Sequence, residues 1–234
     1  MFAIIDYKKM DKAASIQAYT AKQSSIESHL TNIELIIVES GQPLEGNSFY
    51  IHNTLKRYDQ LKTKQLNLFW QGMHATSRIC EIGFNAGHSA LLMLVGRQVT
   101  PVDFTVFDIG HHAYTRPAIE YMKTQFPHAR IEYVEGDSTT TMPAWIAERP
   151  EMEHSYDLVH VDGGHSEHCI RNDLRNAIVL AKLGGIIIVD DTNVYHINEY
   201  VKSYIASGVC VEVDVFPTSG YPHRILQKVS MEKA

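Results

Sequence analysis

The chain is poor in several features that would have fixed its class at once. Of its 234 residues only 3 are cysteines, Cys80, Cys169 and Cys210. They are odd in number and lack metal-type spacing, which argues against a disulfide framework or a zinc ribbon and predicts free thiols in a reducing, cytoplasmic compartment. Long apolar runs are missing. The longest aliphatic stretch, Ile186-Ile187-Ile188-Val189, is far short of the ~20 residues of a membrane span. Phe2-Ala3-Ile4-Ile5 is too short for a secretory core and has no basic stretch before it, so no membrane partner is expected. Positive charge is also scarce, with 21 Lys plus Arg against 27 Asp plus Glu for a net −6. A generic grip on nucleic acid needs the opposite balance, so nucleic acid is not an expected partner. No internal repeat or low-complexity tract is present.

What remains is ordinary globular usage, 44% apolar and 21% charged, in a chain long enough for one α/β domain plus an appendage. The first seventy residues read as helical. Ser24-x-x-Glu27 has the form of a capping box before apolar Ile26, Leu30, Ile33 and Ile37, with Gly41 as a stop. A second periodic stretch carries Ile51, Leu55, Tyr58, Leu61, Leu68 and Phe69 and ends near Gly72. From Arg78 onward, short apolar runs at 78–82, 104–108, 131–134, 156–161 and 186–190 predict strands. Amphipathic stretches at 88–96, 115–125, 139–148 and 167–183 predict the helices between them, with Lys182 in the last turn of the fourth. A further helix is expected over 197–206. Then 209–216 and 224–229 alternate about a turn cluster at 217–222. The expected fold class is α/β: a doubly wound, Rossmann-like seven-stranded sheet, five strands parallel plus a C-terminal antiparallel hairpin, with an N-terminal helical extension. The corresponding division is 1–74 for the helical lid and 75–234 for the sheet domain.

The turn after the first strand, Glu81-Ile82-Gly83-Phe84-Asn85-Ala86-Gly87-His88-Ser89, lets backbone come close to a ligand at the carboxyl end of the sheet, beside a helix N-terminus. Asn85 stands where the dinucleotide fingerprint needs its second glycine, so a pyrophosphate fits poorly. Asp108 and Ile109 close the second strand, where an acidic side chain accepts bonds from ribose hydroxyls. Gly136-Asp137-Ser138 closes the third and Asp162 the fourth. Each acid taken singly is equally a helix cap or a solvated loop residue. Four successive strands ending in a glycine or acidic cluster are harder to produce by capping alone.

These residues together resemble the class I S-adenosylmethionine-dependent methyltransferases, over about residues 64–229. Glu81-x-Gly83-x-x-x-Gly87-x-Ser89 is similar to the first motif of the catechol and caffeoyl-CoA O-methyltransferases. Asp108 matches the acidic ribose ligand, and Gly136-Asp137-Ser138 matches the adenine-side loop. The terminal hairpin agrees with the family's sheet. The resemblance implies S-adenosylmethionine as cofactor, held by Glu81, Gly83, Phe84, Asn85, Gly87, Ser89, Asp108, Ile109, Gly136, Asp137, Ser138 and Asp162.

Asp162 ends the fourth strand and Asp190-Asp191 the fifth, and in this topology the two are neighbours. Three carboxylates repel unless a positive charge offsets them, and an all-oxygen set suits Mg²⁺. The resemblance points the same way, closest to the macrolide-sugar O-methyltransferases, whose pair after the fifth strand is acidic. It implies Asp162, Asp190 and Asp191 as metal ligands, and His165, three residues after Asp162, as general base with Asp162 beside it. The other reading has Asp162 orienting the cofactor's methionine moiety, Asp190 and Asp191 capping a loop, and His165 bonded to nearby backbone. Lys64-Gln65 lies where catechol-type enzymes carry Lys-Gly-Gln, but the glycine is absent. His111, His112, Tyr195 and His196 are each read as site-flanking or as ordinary surface and packing residues. The expected activity is Mg²⁺-assisted O-methylation of a small-molecule acceptor. A metal-independent N- or C-methyltransferase, one acting on a macromolecule, and a non-catalytic cofactor-binding module are the alternatives. Acceptor identity and self-association are not legible.

Overall fold

The computed structural model describes residues 12–213, 216 and 222–231. The run Phe2–Ile5 and most of the turn cluster at 217–222 lie outside them. Seven strands form one sheet in the order β3-β2-β1-β4-β5-β7-β6. They are β1 (Arg78–Ile82), β2 (Val102–Asp108), β3 (Ala129–Glu135), β4 (Tyr156–Val161), β5 (Ala181–Val189), β6 (Cys210–Glu212) and β7 (Arg224–Lys228). β1 to β5 pair in parallel, and β7 enters antiparallel between β5 and β6. The chain reverses direction in the sheet between β1 and β4, and there the carboxyl ends of two neighbouring strands open a crevice.

Side-chain alternation along the central strands builds two apolar layers. Ile79, Leu158, Ile186 and Ile188 face the layer that takes α1 (Lys12–Ser40), α2 (Lys62–His74), α3 (His88–Arg97) and α4 (Thr115–Gln125). Cys80, Val159, Ile187 and Val189 face the layer that takes α5 (Ser138–Glu148), α6 (Glu167–Leu180) and α7 (Tyr195–Ala206). Burial on both faces explains the near-continuous apolar runs. Cys80, Cys169 and Cys210 are free thiols. No helix of the described residues is long and apolar enough to cross a membrane.

Three local expectations need correction. Ser24 and Glu27 do not open a helix: α1 runs through them from Lys12. Its buried face, Tyr19, Ile26, Leu30, Ile33 and Ile37, keeps one phase throughout, and Glu27 instead meets Arg57 at 2.8 Å. Residues 51–58 are not helical. A Tyr50–Arg57 bridge and paired carboxamide contacts from Asn47 to the backbone N–H groups of Phe49 and Tyr50 make a compact loop, and the helix starts only at Lys62. Finally, α6 stops at Leu180, because Ala181 already pairs with Tyr156 in the sheet, and Lys182 turns its ammonium onto Asp157.

That Asp157 is a stability anchor at the end of the sheet remote from the crevice. Its carboxylate accepts from the Ser77 and Arg78 backbone N–H groups at 2.6 and 2.8 Å and from Thr76 Oγ1 at 2.7 Å, besides Lys182. Burial pushes its pKa up, but these donors outweigh it and hold the group down at about 2. The stabilisation is therefore complete above the unfolded carboxylate value near ~4 and is lost as pH falls through about 2. Asp157→Asn is expected to cost roughly 3 kcal/mol at pH 7. In urea unfolding the gap from the parent should close as pH is lowered from 7 toward 2.

Candidate active site

A cavity of about 470 Å³ opens over the carboxyl ends of β1, β2 and β4, within the usual range for a small-molecule site. Its floor is the turn after β1. Gly83 has φ +86°, and a Cβ there would lie 1.9 Å from the Asp162 carbonyl oxygen. Backbone from β1 and β4 thus meets at a point only glycine can occupy, and the turn leaves a concave backbone surface. Asn85 and Gly87 follow with φ of 55° and 83° before α3 begins at His88.

Asp108 holds this turn from the side. Its Oδ2 accepts the backbone N–H of Phe84 at 2.8 Å and of Asn85 at 2.9 Å, and its Oδ1 accepts that of Gly110 at 2.7 Å. A carboxylate has about four acceptor positions, so capacity is left on the cavity side. Ile109 is 64% exposed on the rim, an apolar surface suited to a ring. Gly136, Asp137 and Ser138 line the opposite wall. Asp137 also caps α5, accepting from the Thr139 N–H at 2.9 Å. Capping and wall roles coincide in one residue. Beneath the turn, Glu81 is fully buried, does not reach the cavity lining, and accepts from the Ser89 hydroxyl while meeting His160 Nδ1 at 3.0 Å. Glu81 therefore braces the turn from below.

The strand-four and strand-five acids do gather at the crevice, but not as one three-carboxylate set. Asp190, buried, is bonded to the Lys64 ammonium, which also lies 4.0 Å from Asp162. Asp191, with φ +52°, turns the other way and meets His165 Nε2 at 2.8 Å. Two groupings that share Asp162 result, His160–Asp162–Asp190 and Asp162–His165–Asp191. Burial pushes the Asp190 carboxyl up, but Lys64 more than offsets this and keeps it below the ordinary carboxylate range. Asp162 is pushed up to about 7 by burial and by the Asp190 charge. The His165 pKa is raised above its usual value, chiefly by the hydrogen bond to Asp191. Where Mg²⁺ was expected on Asp162, Asp190 and Asp191, a protein ammonium lies against two of the three acids.

Residues 80–192 match the family model described as a methyltransferase domain. The segment from β1 to the loop after β5 is thus similar to a methyltransferase domain. No curated protein matches it. Solved structures of the same fold include an O-methyltransferase from Bacillus cereus in complex with SAH, with 18% identity, TM-score 0.59, and 87% of this chain and 91% of that chain covered. They also include CalS11, a TDP-rhamnose 3'-O-methyltransferase of calicheamicin biosynthesis, with 18% identity, TM-score 0.56, and 72% and 78% covered. TomG, an O-methyltransferase from Streptomyces achromogenes solved with SAM, has 17% identity, TM-score 0.54, and 72% and 79% covered.

Several residues of the site are not legible in the sequence. Glu45, Gly46, Asn47 and Ser48, from the loop between α1 and α2, line the cavity, and the Asn85 carboxamide donates to the Glu45 carbonyl. Loop chemistry was readable there, its destination was not. His88 lines the floor with both ring nitrogens buried and unpartnered, and burial keeps it neutral with a pKa near 3. His111 and His112 both line the cavity, and His112 meets Glu45 at 3.3 Å. Tyr195 is 78% exposed and outside the cavity lining, while His196 Nε2 donates to the His165 carbonyl at 2.6 Å and fixes the loop that carries His165. Gln65 braces α2 against α1 and the loop through Tyr19 and the Ser48 carbonyl.

Proposed function

We propose that the chain is an S-adenosylmethionine-dependent methyltransferase that acts on a hydroxyl group of a small molecule, with His165 as general base. The observation that carries this is the His165–Asp191 pair, 2.8 Å apart, at the mouth of the cavity on the strand-four and strand-five side. Bound S-adenosylmethionine would supply an electrophilic methyl group, with the C–S electron pair returning to sulfur on transfer. The glycine cradle at Gly83 and Gly87, together with Phe84, Asn85 and Ser89, supports a cofactor seat, with Asp108 toward the ribose, Ile109, Gly136, Asp137 and Ser138 around the base, and Asp162 toward the cationic end. With Nε2–H donated to Asp191, the His165 lone pair is on Nδ1. That atom takes the proton as the acceptor oxygen bonds to carbon, and Asp191 stabilises the imidazolium formed. Asp162 draws the acceptor and cofactor together by charge and hydrogen bonding.

The loop at 45–48 and the helices before residue 75 are the lid of this reading, and a cavity of about 470 Å³ admits a small acceptor group beside the cofactor. Neither nucleic acid nor membrane is a partner in it. Three free thiols suit the cytoplasm, and self-association is not required for the site. Incubation with methyl-labelled S-adenosylmethionine and a panel of small hydroxyl compounds, amines and macromolecules is the test. Label in an ether methyl group is expected, and label confined to amines, carbon or macromolecules overturns the reading. Asp108→Ala, which loses three backbone contacts and the ribose acceptor together, is expected to weaken cofactor binding about 100-fold in calorimetry.

A further inference from the structure

We infer that the Lys64 ammonium is the permanent counter-cation of the Asp162–Asp190 site, so that cofactor and acceptor are handled without a divalent metal ion. The inference rests on the methyltransferase reading of this crevice and states what the carboxylates there are for. Lys64 comes from the first turn of α2, and 126 residues of sequence separate it from the aspartate it meets. Its side chain is 8% exposed and that of Asp190 is 2%. Neither charge is solvated, so each is kept by the other: an unpaired buried ion costs several kcal/mol, and losing one partner strands its mate.

A second cation at Asp162 and Asp190 would have to displace the ammonium already there. Mg²⁺ demands about six oxygens at ~2.0–2.1 Å. An ion between Asp162 and Asp190 would compete with an ammonium already bonded to one acid and 4.0 Å from the other. Lys64 has no easy retreat, since its neighbours Gln65, Leu66 and Asn67 are buried too. The remaining acid, Asp191, is committed to His165. Each carboxylate of the crevice therefore has a protein cation or an imidazole beside it. Lys64 touches no reacting atom here and is a positioning residue: it fixes Asp190, hence the end of β5 and the loop that carries Asp191.

Titration of the full chain with Mn²⁺, followed by electron paramagnetic resonance and calorimetry, tests this without any acceptor. The parent is expected to leave Mn²⁺ free at millimolar concentration. Lys64→Ala, which uncovers Asp162 and Asp190, is expected to gain a site at least about tenfold tighter, and Lys64→Arg is expected to gain none. Should Lys64→Ala fail to fold, Lys64→Met combined with Asp190→Asn serves instead: the pair is expected to melt higher than Lys64→Met alone, because it removes the stranded charge. Sub-millimolar Mn²⁺ binding by the parent overturns the inference. So does a parent activity that EDTA lowers at least about tenfold and Mg²⁺ restores. If no hydroxyl acceptor is ever methylated, the O-methylation reading fails while the Mn²⁺ titration still decides the role of Lys64.

Discussion

Replacing His165 by alanine is expected to lower turnover about 10²–10⁴-fold while S-adenosylmethionine binds within about twofold of the parent. The expectation follows from where the imidazole sits. It is 57% exposed at the cavity mouth, and its one firm polar contact is Asp191. Removing it disturbs neither the glycine turn nor Asp108, so cofactor binding keeps its determinants. What is lost is an acceptor for the hydroxyl proton. Without it the attacking oxygen must lose its proton to water or attack as a neutral hydroxyl. The pH dependence has a definite sign. Asp191 raises the His165 pKa above the usual ~6.5, and only the neutral ring can accept a proton. Turnover should therefore rise with pH through that raised value and level off above it. Asp191→Asn removes the charge that raises the pKa, so its acid limb should move to lower pH. Its plateau should fall as well, because the imidazolium is no longer stabilised. Single-turnover rates of the three proteins between pH 5 and pH 9 check both statements. Unchanged turnover in His165→Ala assigns the proton to another group.

The architecture was readable because the central strands are buried on both faces, and each ends where its apolar run meets glycine or an acid. The antiparallel finish was legible for a related reason: two short runs flank a turn cluster with no helix pattern between them. The errors share a cause, which is that local pattern is ambiguous wherever a distant partner decides. Ala181-Lys182-Leu183 continues the helical phase of α6 and also fits a strand. The pairing of Ala181 with Tyr156 and the Lys182–Asp157 contact select the strand. Ser24 and Glu27 have cap spacing, yet a continuous buried face on α1 makes interruption more costly than running through.

At the site, residues that touch the cavity through their own strand ends were found from sequence, as with Gly83, Asp108 and Asp137. Lys64 could be noticed but not interpreted. Its bond to Asp190 joins the first turn of α2 to the residue after β5, a relation that no local spacing encodes. Positive charge does lie against two of the three acids, Asp162 and Asp190. That ammonium comes from α2, in a segment whose local pattern marks it only as helical.

Gly83→Ala is expected to be the most damaging single-carbon change in the chain. Two independent costs coincide at this position. At φ +86° an L-residue pays about 1–2 kcal/mol for the left-handed backbone. The added Cβ would also lie 1.9 Å from the carbonyl oxygen of Asp162 and 2.6 Å from its carbonyl carbon. Those atoms are backbone, so no side-chain rotation relieves the overlap. The Gly83 N–H donates to the Phe107 carbonyl at 2.8 Å and the Asp162 N–H to the Ile82 carbonyl at 2.8 Å. Moving the turn therefore pulls on β2 and β4 together. A loss of at least about 3 kcal/mol is expected in urea unfolding. Displacing Asp162 should also weaken cofactor binding in the fraction that stays folded. The contrasting change is Gly41→Ala, whose Cβ meets nothing within 4 Å although φ is +68°. It carries the backbone cost alone, so the difference between the two variants measures the contact between the ends of β1 and β4. A Gly83→Ala protein less than 1 kcal/mol below the parent would mean that this contact opens freely and that the cavity floor is not rigid.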